Sequence, residues 1–194
     1  MNREEMKKYK EMKKYLENKT KEVYKTYNLK KKDYMFYLSK NNMFYSIMFL
    51  MSNNIIKVSF YAKPLWIDDI LWDILNMSEN KKAPISLRSV GAFTINSQIK
   101  INEYNVENEK EIDNIINSSF NDLLELSNIC DEDYYLKNYT NISYQKEMIY
   151  TIVLIHNKEY EKALDVLNNT KINNFISNNK CFSDLAIEYI NKIQ

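Results

Sequence analysis

The segment Leu65–Met77 carries the side chains of this sequence that are best suited to recognition or chemistry. Its apolar residues fill one wide face of a helical wheel, and Trp72 falls on the opposite face. The neighbours of Trp72 on that face are Leu65, Asp68, Asp69 and Asp73. A tryptophan among acidic side chains is out of pattern for a solvent-facing helix. We expect either a docking surface for a basic partner, with Trp72 as its anchor, or a Trp72 that the C-terminal helices bury.

The same aspartates could act as catalytic carboxylates, since Asp69 and Asp73 lie four residues apart on one helix face. General acid–base catalysis needs two carboxyl groups in different environments, which adjacent exposed aspartates do not provide. The acidic run Asp131–Asp133 lacks the glycine and the regular alternation of a calcium-binding loop. We therefore expect a solvated helix face and a polar connection, with no catalytic pair and no metal site.

One histidine, two cysteines and one glycine exclude several classes of site. A structural zinc site with four Cys or His ligands needs more of these residues, and a phosphate-binding loop needs several glycines. His156 falls at the end of a predicted helix, where a cation complements the helix dipole, and no triad pattern accompanies it. Cys130 and Cys181 suit ordinary buried thiols. These features favour a protein that is not an enzyme, and we expect no cofactor.

A second candidate site combines an arginine with tyrosines of the predicted sheet. Arginine binds carboxylates and phosphates in a bidentate manner, so Arg88 at the rim of a tyrosine-lined concavity would suit a small anionic ligand. The residues that could line this sheet face are Tyr37, Tyr45, Tyr61 and Ser59. The alternative is that helices cover the face and that Arg88 pairs with Asp68 or Asp69.

Positive charge is concentrated at the N-terminus. Residues 1–40 contain 13 lysines and arginines against 6 acidic residues, whereas residues 41–194 contain 14 against 20. A lysine stripe on the first helix, together with Lys30–Lys32, could bind nucleic acid, or it could lie near the acidic remainder of the chain. The stripe consists of Lys7, Lys10, Lys14, Lys21 and Lys25. The aromatic residues of this helix share its core face, so no platform for stacking bases is evident, and we expect no nucleic-acid partner.

Apolar spacing predicts a long amphipathic helix followed by a β-meander. The helix covers residues 3–27, and the strands are Tyr34–Ser39, Met43–Ser52 and Ile55–Ala62. The strands are separated by Asn-Asn pairs, which tolerate the left-handed backbone of tight hairpins. The second strand is apolar on both faces, so we expect it to be central and covered on both sides.

Pro64 then opens the helix of Leu65–Met77, because proline costs no hydrogen bond in the first turn. Val90–Ile95 and Gln98–Tyr104 suggest two more strands or one bent strand, with a bulge at Gly91. Helical spacing starts near Glu109, and the last predicted helices are 144–156, 158–168 and 182–193. The expected fold class is α+β: a long N-terminal helix, an antiparallel sheet of four to five strands with an inserted helix, and an all-helical C-terminal subdomain. We expect a sheet domain at 1–106 and a helical subdomain at 107–194, packed into one body.

The compartment also follows from the sequence. The N-terminus lacks the apolar core of a secretory signal, no stretch approaches the length of a membrane span, and the two cysteines are isolated. These features predict a cytoplasmic protein with reduced thiols. The abundance of Asn, Lys and Ile suggests an AT-rich bacterial genome.

Two resemblances add to these predictions. The pattern Tyr160-x-x-Ala163-Leu164 within Ile149–Asn168 resembles half of a tetratricopeptide repeat, and it implies one helical hairpin because a repeat array needs several copies. The helix–meander–helix–strand order of the front half resembles bacterial families known only as domains of unknown function. Some of those proteins look like immunity partners of bacterial toxins, which implies a cytoplasmic protein that binds another protein.

Three functions remain open at this stage. The first is a non-enzymatic module, of which an immunity-like protein is one form, that binds another protein through Trp72 and its aspartates. The second is a small-molecule or enzymatic site around Arg88 and the tyrosines. The third is nucleic-acid binding through the lysine stripe.

Overall fold

The computed structural model describes residues 2–90, 93–138, 145–176 and 179–194. It confirms the α+β class, with a long N-terminal helix, a five-stranded antiparallel sheet in the order β1-β2-β3-β4-β5, and C-terminal helices. The strands are β1 Lys30–Lys32, β2 Met35–Lys40, β3 Met43–Ser52, β4 Ile55–Pro64 and β5 Gln98–Asn105. The helices are α1 Arg3–Val23, α2 Leu65–Ile74, α3 Leu87–Val90, α4 Glu109–Ile129, α5 Glu132–Asn138, α6 Lys146–His156, α7 Tyr160–Asn169 and α8 Phe182–Ile193.

Asparagine makes the hairpin turns of the meander, as the sequence predicts. Asn41, Asn42, Asn53 and Asn54 all have φ values between 48° and 61°. This left-handed region costs asparagine less than most other residues because its short side chain can hydrogen-bond locally. Seven of the ten non-glycine residues with positive φ in the described part of the chain are asparagines. The chain therefore builds tight turns almost without glycine.

Two features of the sheet differ from the sequence-based expectation. β1 is a strand of three lysines, and its lack of apolar alternation hid it from sequence analysis. The strand expected at Val90–Ile95 is absent from the described part of that range: α3 ends at Val90, and residues 93–97 are irregular. Gly91, where we expected a bulge, lies outside the described residues.

Side chains explain why residues 93–97 do not join the sheet. The Phe93 carbonyl accepts a hydrogen bond from Trp72, the Ile95 carbonyl accepts one from Lys63, and the Ile95 amide donates to Asp68. Side chains at the end of β4 and on α2 thus form hydrogen bonds with backbone groups that would otherwise pair with a neighbouring strand.

The chain divides into two compact units, and the division does not follow the expected boundary at residue 106. Unit 1 comprises Met1–Ala62 and Gln98–Asp131, and unit 2 comprises Lys63–Ser97 and Glu132–Gln194. The sheet except the end of β4 belongs to unit 1, with α1 and α4. The helix that we expected inside the sheet domain, α2, belongs to unit 2 together with α5–α8.

Unit 1 is built around an aromatic cluster between the sheet, α4 and the short 3-10 helix that follows α1. Phe120 of α4 is fully buried, and its ring centre lies 5.3 Å from Phe36 of β2 and 5.3 Å from Phe49 of β3. Tyr27, in the short 3-10 helix after α1, lies 5.2 Å from Phe120. On α1 itself only Met12, Leu16 and Thr20 are buried. The first half of α1 is therefore largely exposed.

Unit 2 is a helical assembly in which α2 packs against α6 and α8. α6 and α7 form the predicted helical hairpin, with the break at Lys158, whose φ is 61°. Ala163 is fully buried, in keeping with the close helix approach that a small side chain permits. No helix in the described part of the chain is long and apolar enough to cross a membrane.

Candidate functional site

Trp72 does not form the exposed docking anchor that was one of the two sequence-based expectations. The side chain is only 1% exposed, and its indole N–H donates to the Phe93 carbonyl at 2.7 Å. The Arg88 guanidinium lies 4.7 Å from the ring centre, within the range of a cation–π contact. The alternative expectation was that the C-terminal helices bury Trp72. The burial itself is confirmed, and the contacts of Trp72 that the structure shows come from Phe93 and Arg88.

The acidic residues near Trp72 are engaged within unit 2. Asp73 accepts hydrogen bonds from Ser78 and Lys81, and Asp69 accepts one from Arg88 at 2.6 Å. Leu65 is half-buried, and its carbonyl accepts a hydrogen bond from Arg88 at 2.6 Å. These groups serve intramolecular bonds, so this helix face is not an unoccupied acidic surface.

Asp68 is the centre of a buried charge cluster formed with Lys63, Arg88 and Asp69. Its side chain is fully buried, and its two oxygens lie 3.0 and 2.8 Å from the Lys63 ammonium. The Arg88 guanidinium lies 3.6 Å away. Burial lowers the pKa of Lys63, whereas the charge and hydrogen bond of Asp68 oppose that shift. The expectation that Arg88 pairs with Asp68 or Asp69 is confirmed for both, and a buried, fully engaged arginine does not suit ligand capture.

The tyrosines do not line one sheet face. Tyr37 pairs with Ser46 across β2 and β3, and Tyr45 pairs with Leu38. Cross-strand partners share a face and neighbours alternate, so Tyr37 and Tyr45 lie on opposite faces. This overturns the expected common lining and with it the tyrosine pocket.

Each tyrosine has a structural environment of its own. Tyr45 is buried, and its hydroxyl donates to the Cys130 carbonyl at 2.5 Å. Burial raises the pKa of Tyr45, so the phenol remains protonated. The Tyr37 ring stacks on Phe44, 5.4 Å between centres, and Tyr61 is half-buried with a pKa that burial raises. Arg88 belongs to unit 2, whereas these tyrosines belong to unit 1.

The lysine stripe is exposed along its whole length. Lys7 lies 4.0 Å from Glu11, a weak pair between two exposed side chains. The neighbouring Lys19 and Tyr15 both contact Asp113 of α4, at 4.0 and 3.0 Å, so α1 meets one acidic side chain of its own unit. Most of the stripe therefore faces solvent.

A groove of about 560 Å³ with a largely apolar lining lies in unit 1. It runs between one side of α1, the turn that joins β1 to β2, and the end of β3. Its apolar lining is Leu16, Tyr34, Phe36, Met48, Phe49, Leu50 and Met51. Its volume is within the range of ligand-binding clefts.

Two apolar side chains in this groove are mostly exposed: Tyr34 at 62% and Leu50 at 52%. Lys13, Lys21 and Lys31 stand around them, and none forms an ion pair with another described residue. The lining also includes Glu17 and Asp33, and Asp33 lies 4.0 Å from Lys32. The groove thus combines apolar surface with more positive than negative charge.

The groove was not predicted from the sequence. Leu50 lies in a strand that was predicted correctly, whereas Tyr34 was expected to begin a strand and lies in the turn before β2. Exposed apolar residues are also common singly. The available signal was the apolar character of β3 on both faces up to its very end. Periodicity could not show that the neighbouring strand β2 stops short of that end.

Among the residues that the structure describes, the histidine and the two cysteines have structural surroundings. The His156 ring stacks on Trp66 with 3.9 Å between centres and 4° between planes, and Glu132 lies 3.7 Å from its Nε2. Both cysteines are buried, and burial raises the pKa of Cys130 to about 11. Across the described ranges, no group of three or more His, Cys, Asp or Glu side chains could hold a metal ion.

Comparison with known proteins gives no family or relative. No protein-family model matches the chain, and neither a curated protein nor a solved structure is significantly similar to it.

Proposed function

We propose that the chain is a non-enzymatic cytoplasmic protein that binds another protein, and that its docking surface is the groove between α1 and the end of β3. The partner segment carries apolar side chains and acidic residues. The observation that carries this proposal is the exposure of Tyr34 and Leu50 in a concave site surrounded by three lysines without ion pairs among the described residues.

Apolar side chains in a concave site supply binding energy by leaving water, and charged residues at the rim select the partner and speed encounter. Here Leu50 and Tyr34 provide the first contribution, and Lys13, Lys21 and Lys31 provide the second. The lysine stripe adds positive charge beside the groove, because Lys21 belongs to both. An acidic partner would therefore be favoured over a basic one.

The groove favours a protein over a nucleic acid. Strand-binding sites for nucleic acid use several aromatic faces along a basic track, and Tyr34 is the single mostly exposed aromatic ring of this lining. The other lining residues near the opening are an aliphatic and a thioether side chain, namely the exposed Leu50 and the half-buried Met48. Such side chains suit apolar side chains of a polypeptide.

Site-specific photo-crosslinking tests this proposal. We would replace Leu50 with p-benzoylphenylalanine in the full chain and irradiate it in extract of the cells that produce it, with and without nuclease. The matched control places the same photoreactive residue at Tyr150, which is 48% exposed in unit 2. We expect a discrete protein adduct from position 50 that position 150 does not give.

Competition shows whether the groove itself is responsible. An excess of unmodified wild-type chain should suppress the adduct, whereas the Lys13→Glu/Lys21→Glu variant should not, and its thermal unfolding should match that of wild type. Equal adducts at positions 50 and 150, or equal suppression by both competitors, would overturn the proposal. An adduct that nuclease removes would replace it with nucleic-acid binding.

A further inference from the structure

We propose that the groove accepts its partner as an extended strand, which continues the sheet along the unpaired edge of β3. This inference rests on the proposed function and specifies the form in which the partner binds. It follows from the register of the sheet, from the direction of one carbonyl group and from the charges beside it.

β3 extends beyond its neighbour on one side. The last pair between β2 and β3 is Met35 with Met48, and β3 continues to Ser52. Residues 49–52 therefore have no strand partner on the β2 side among the described residues. An unpaired strand edge is a template for backbone pairing with another chain. This edge opens into the groove, since Phe49, Leu50 and Met51 all line it.

The backbone groups of Met51 point toward this open side. A two-residue turn joins Ser52 to Ile55, so these residues face each other, and antiparallel alternation turns the groups of Met51 away from β4. The Met51 carbonyl accepts a hydrogen bond from the Tyr9 hydroxyl at 3.0 Å. A side-chain hydroxyl thus occupies a position that the amide of an added strand would take.

The groove matches a strand in which apolar and acidic residues alternate. Successive side chains of a strand point to opposite faces, so alternate residues of an added strand would meet different surroundings. One set of side chains would meet Leu50 and Tyr34, and the other would meet the α1 wall with Lys13 and Lys21. Strand addition of this kind takes affinity from backbone bonds and specificity from alternate side chains.

Two acetylated and amidated octapeptides of equal composition test the binding mode. The first alternates glutamate and leucine, a strand pattern, and the second has the order Leu-Glu-Glu-Leu-Leu-Glu-Glu-Leu, a helix pattern. Each is titrated into the full ¹⁵N-labelled chain while NMR follows amide shifts and hydrogen exchange. We expect saturable binding of the alternating peptide, with the Met51 amide exchanging about tenfold more slowly in the complex, and weaker binding of the helix-pattern peptide.

The Tyr9→Phe variant gives a second, sharper readout. It removes the hydroxyl that occupies the Met51 carbonyl and keeps the ring, so the alternating peptide should bind about fivefold more tightly. The matched control is Tyr15→Phe on the same helix, which removes a hydroxyl bonded to Asp113 away from the groove lining and should leave peptide affinity unchanged.

Several results would overturn the strand mode. These are equal or tighter binding of the helix-pattern peptide, binding without slower exchange at Met51, no saturable binding of the alternating peptide, and equal effects of the two tyrosine variants. Concentration-dependent dimerisation that protects Met51 without peptide would assign the edge to a second copy of this chain. If one of these results is obtained while crosslinking from position 50 succeeds, only the strand mode fails and the proposed function stands. If crosslinking fails as well, the proposed function fails with it.

Discussion

Replacement of Asp68 with asparagine should strongly destabilise unit 2 at neutral pH. The variant keeps the shape of the side chain, and its amide oxygen can still accept the Ile95 N–H, now 2.9 Å from the carboxylate. What it removes is the negative charge 2.8 Å from the Lys63 ammonium, which is 3% exposed. Arg88 retains Asp69 and the Leu65 carbonyl, so one cation, Lys63, is left in the interior without its counter-charge.

The expected loss in the free energy of unfolding at pH 7 is about 3–5 kcal/mol, because breaking a buried ion pair leaves an uncompensated charge in the interior. The loss should depend on pH in a stated direction. Burial lowers the pKa of Lys63, and the charge of Asp68 opposes that shift. Asp68→Asn removes this opposition and therefore lowers the pKa of Lys63 further. The unfolded chain keeps its proton up to the ordinary lysine pKa of about 10.4. Stability therefore rises with pH between the lowered pKa and that value, and the deficit of the variant should shrink as the pH approaches about 10.

Urea unfolding followed by tryptophan emission measures both effects, since Trp66 and Trp72 both lie in unit 2 with the cluster. The matched control is Asp73→Asn on the same helix, whose partner Lys81 is 37% exposed, and it should cost less than about 1 kcal/mol. The reasoning is refuted if Asp68→Asn costs less than about 1 kcal/mol at pH 7, or if its deficit is the same at neutral and alkaline pH.

Substitutions at three further positions test the packing and hydrogen bonds of the two units. Phe120→Ala should lower the free energy of unfolding of unit 1 by about 3–5 kcal/mol, and Phe120→Leu should lower it by less. Urea unfolding followed by circular dichroism measures both values. Equal losses would contradict a tightly packed aromatic cluster. Tyr45→Phe should cost about 1 kcal/mol through loss of the bond to the Cys130 carbonyl. Because burial raises the pKa of Tyr45, the folded state disfavours ionisation of its phenol. The stability of the wild type should therefore fall as the pH rises above the unfolded tyrosine pKa of about 10, and it should fall by more than that of Tyr45→Phe. The same pH profile for both proteins would count against this. His156→Ala should lower the free energy of unfolding by about 0.5–1.5 kcal/mol, and His156→Phe should lower it by less, since phenylalanine can keep the stack on Trp66. Unchanged tryptophan emission in both variants would exclude the stack in solution.

The meander and the helices could be predicted because their signals are local. Asparagine pairs between apolar runs fix β2, β3 and β4 within a few residues, and period-3.6 spacing fixes α4 and α6–α8. The burial of Trp72 could not be predicted, because its indole bonds to Phe93 in the segment 93–97, which forms neither helix nor strand. Trp72 and Lys63 donate hydrogen bonds to this segment and Asp68 accepts one from it, and no periodicity reveals these bonds.

The groove could not be predicted because it depends on register. The exposure of Leu50 follows from two facts of pairing: β2 starts at Met35, and Met35 lies opposite Met48. A strand pattern shows which residues alternate, and it does not show where the neighbouring strand ends. The tyrosine pocket failed for the same reason, since one step of register places Tyr37 and Tyr45 on opposite faces.

The asparagine turns also affect how the protein ages chemically. An asparagine side chain can cyclise onto the next backbone nitrogen and lose its amide, a reaction that is fastest where glycine follows. Asn42 precedes Met43 and Asn54 precedes Ile55, and the single glycine of the chain follows Val90. Both hairpins therefore reach their left-handed backbone without the dipeptide that is most prone to deamidation. Over long storage, the asparagines of the two turns that flank β3 should keep their neutral side chains.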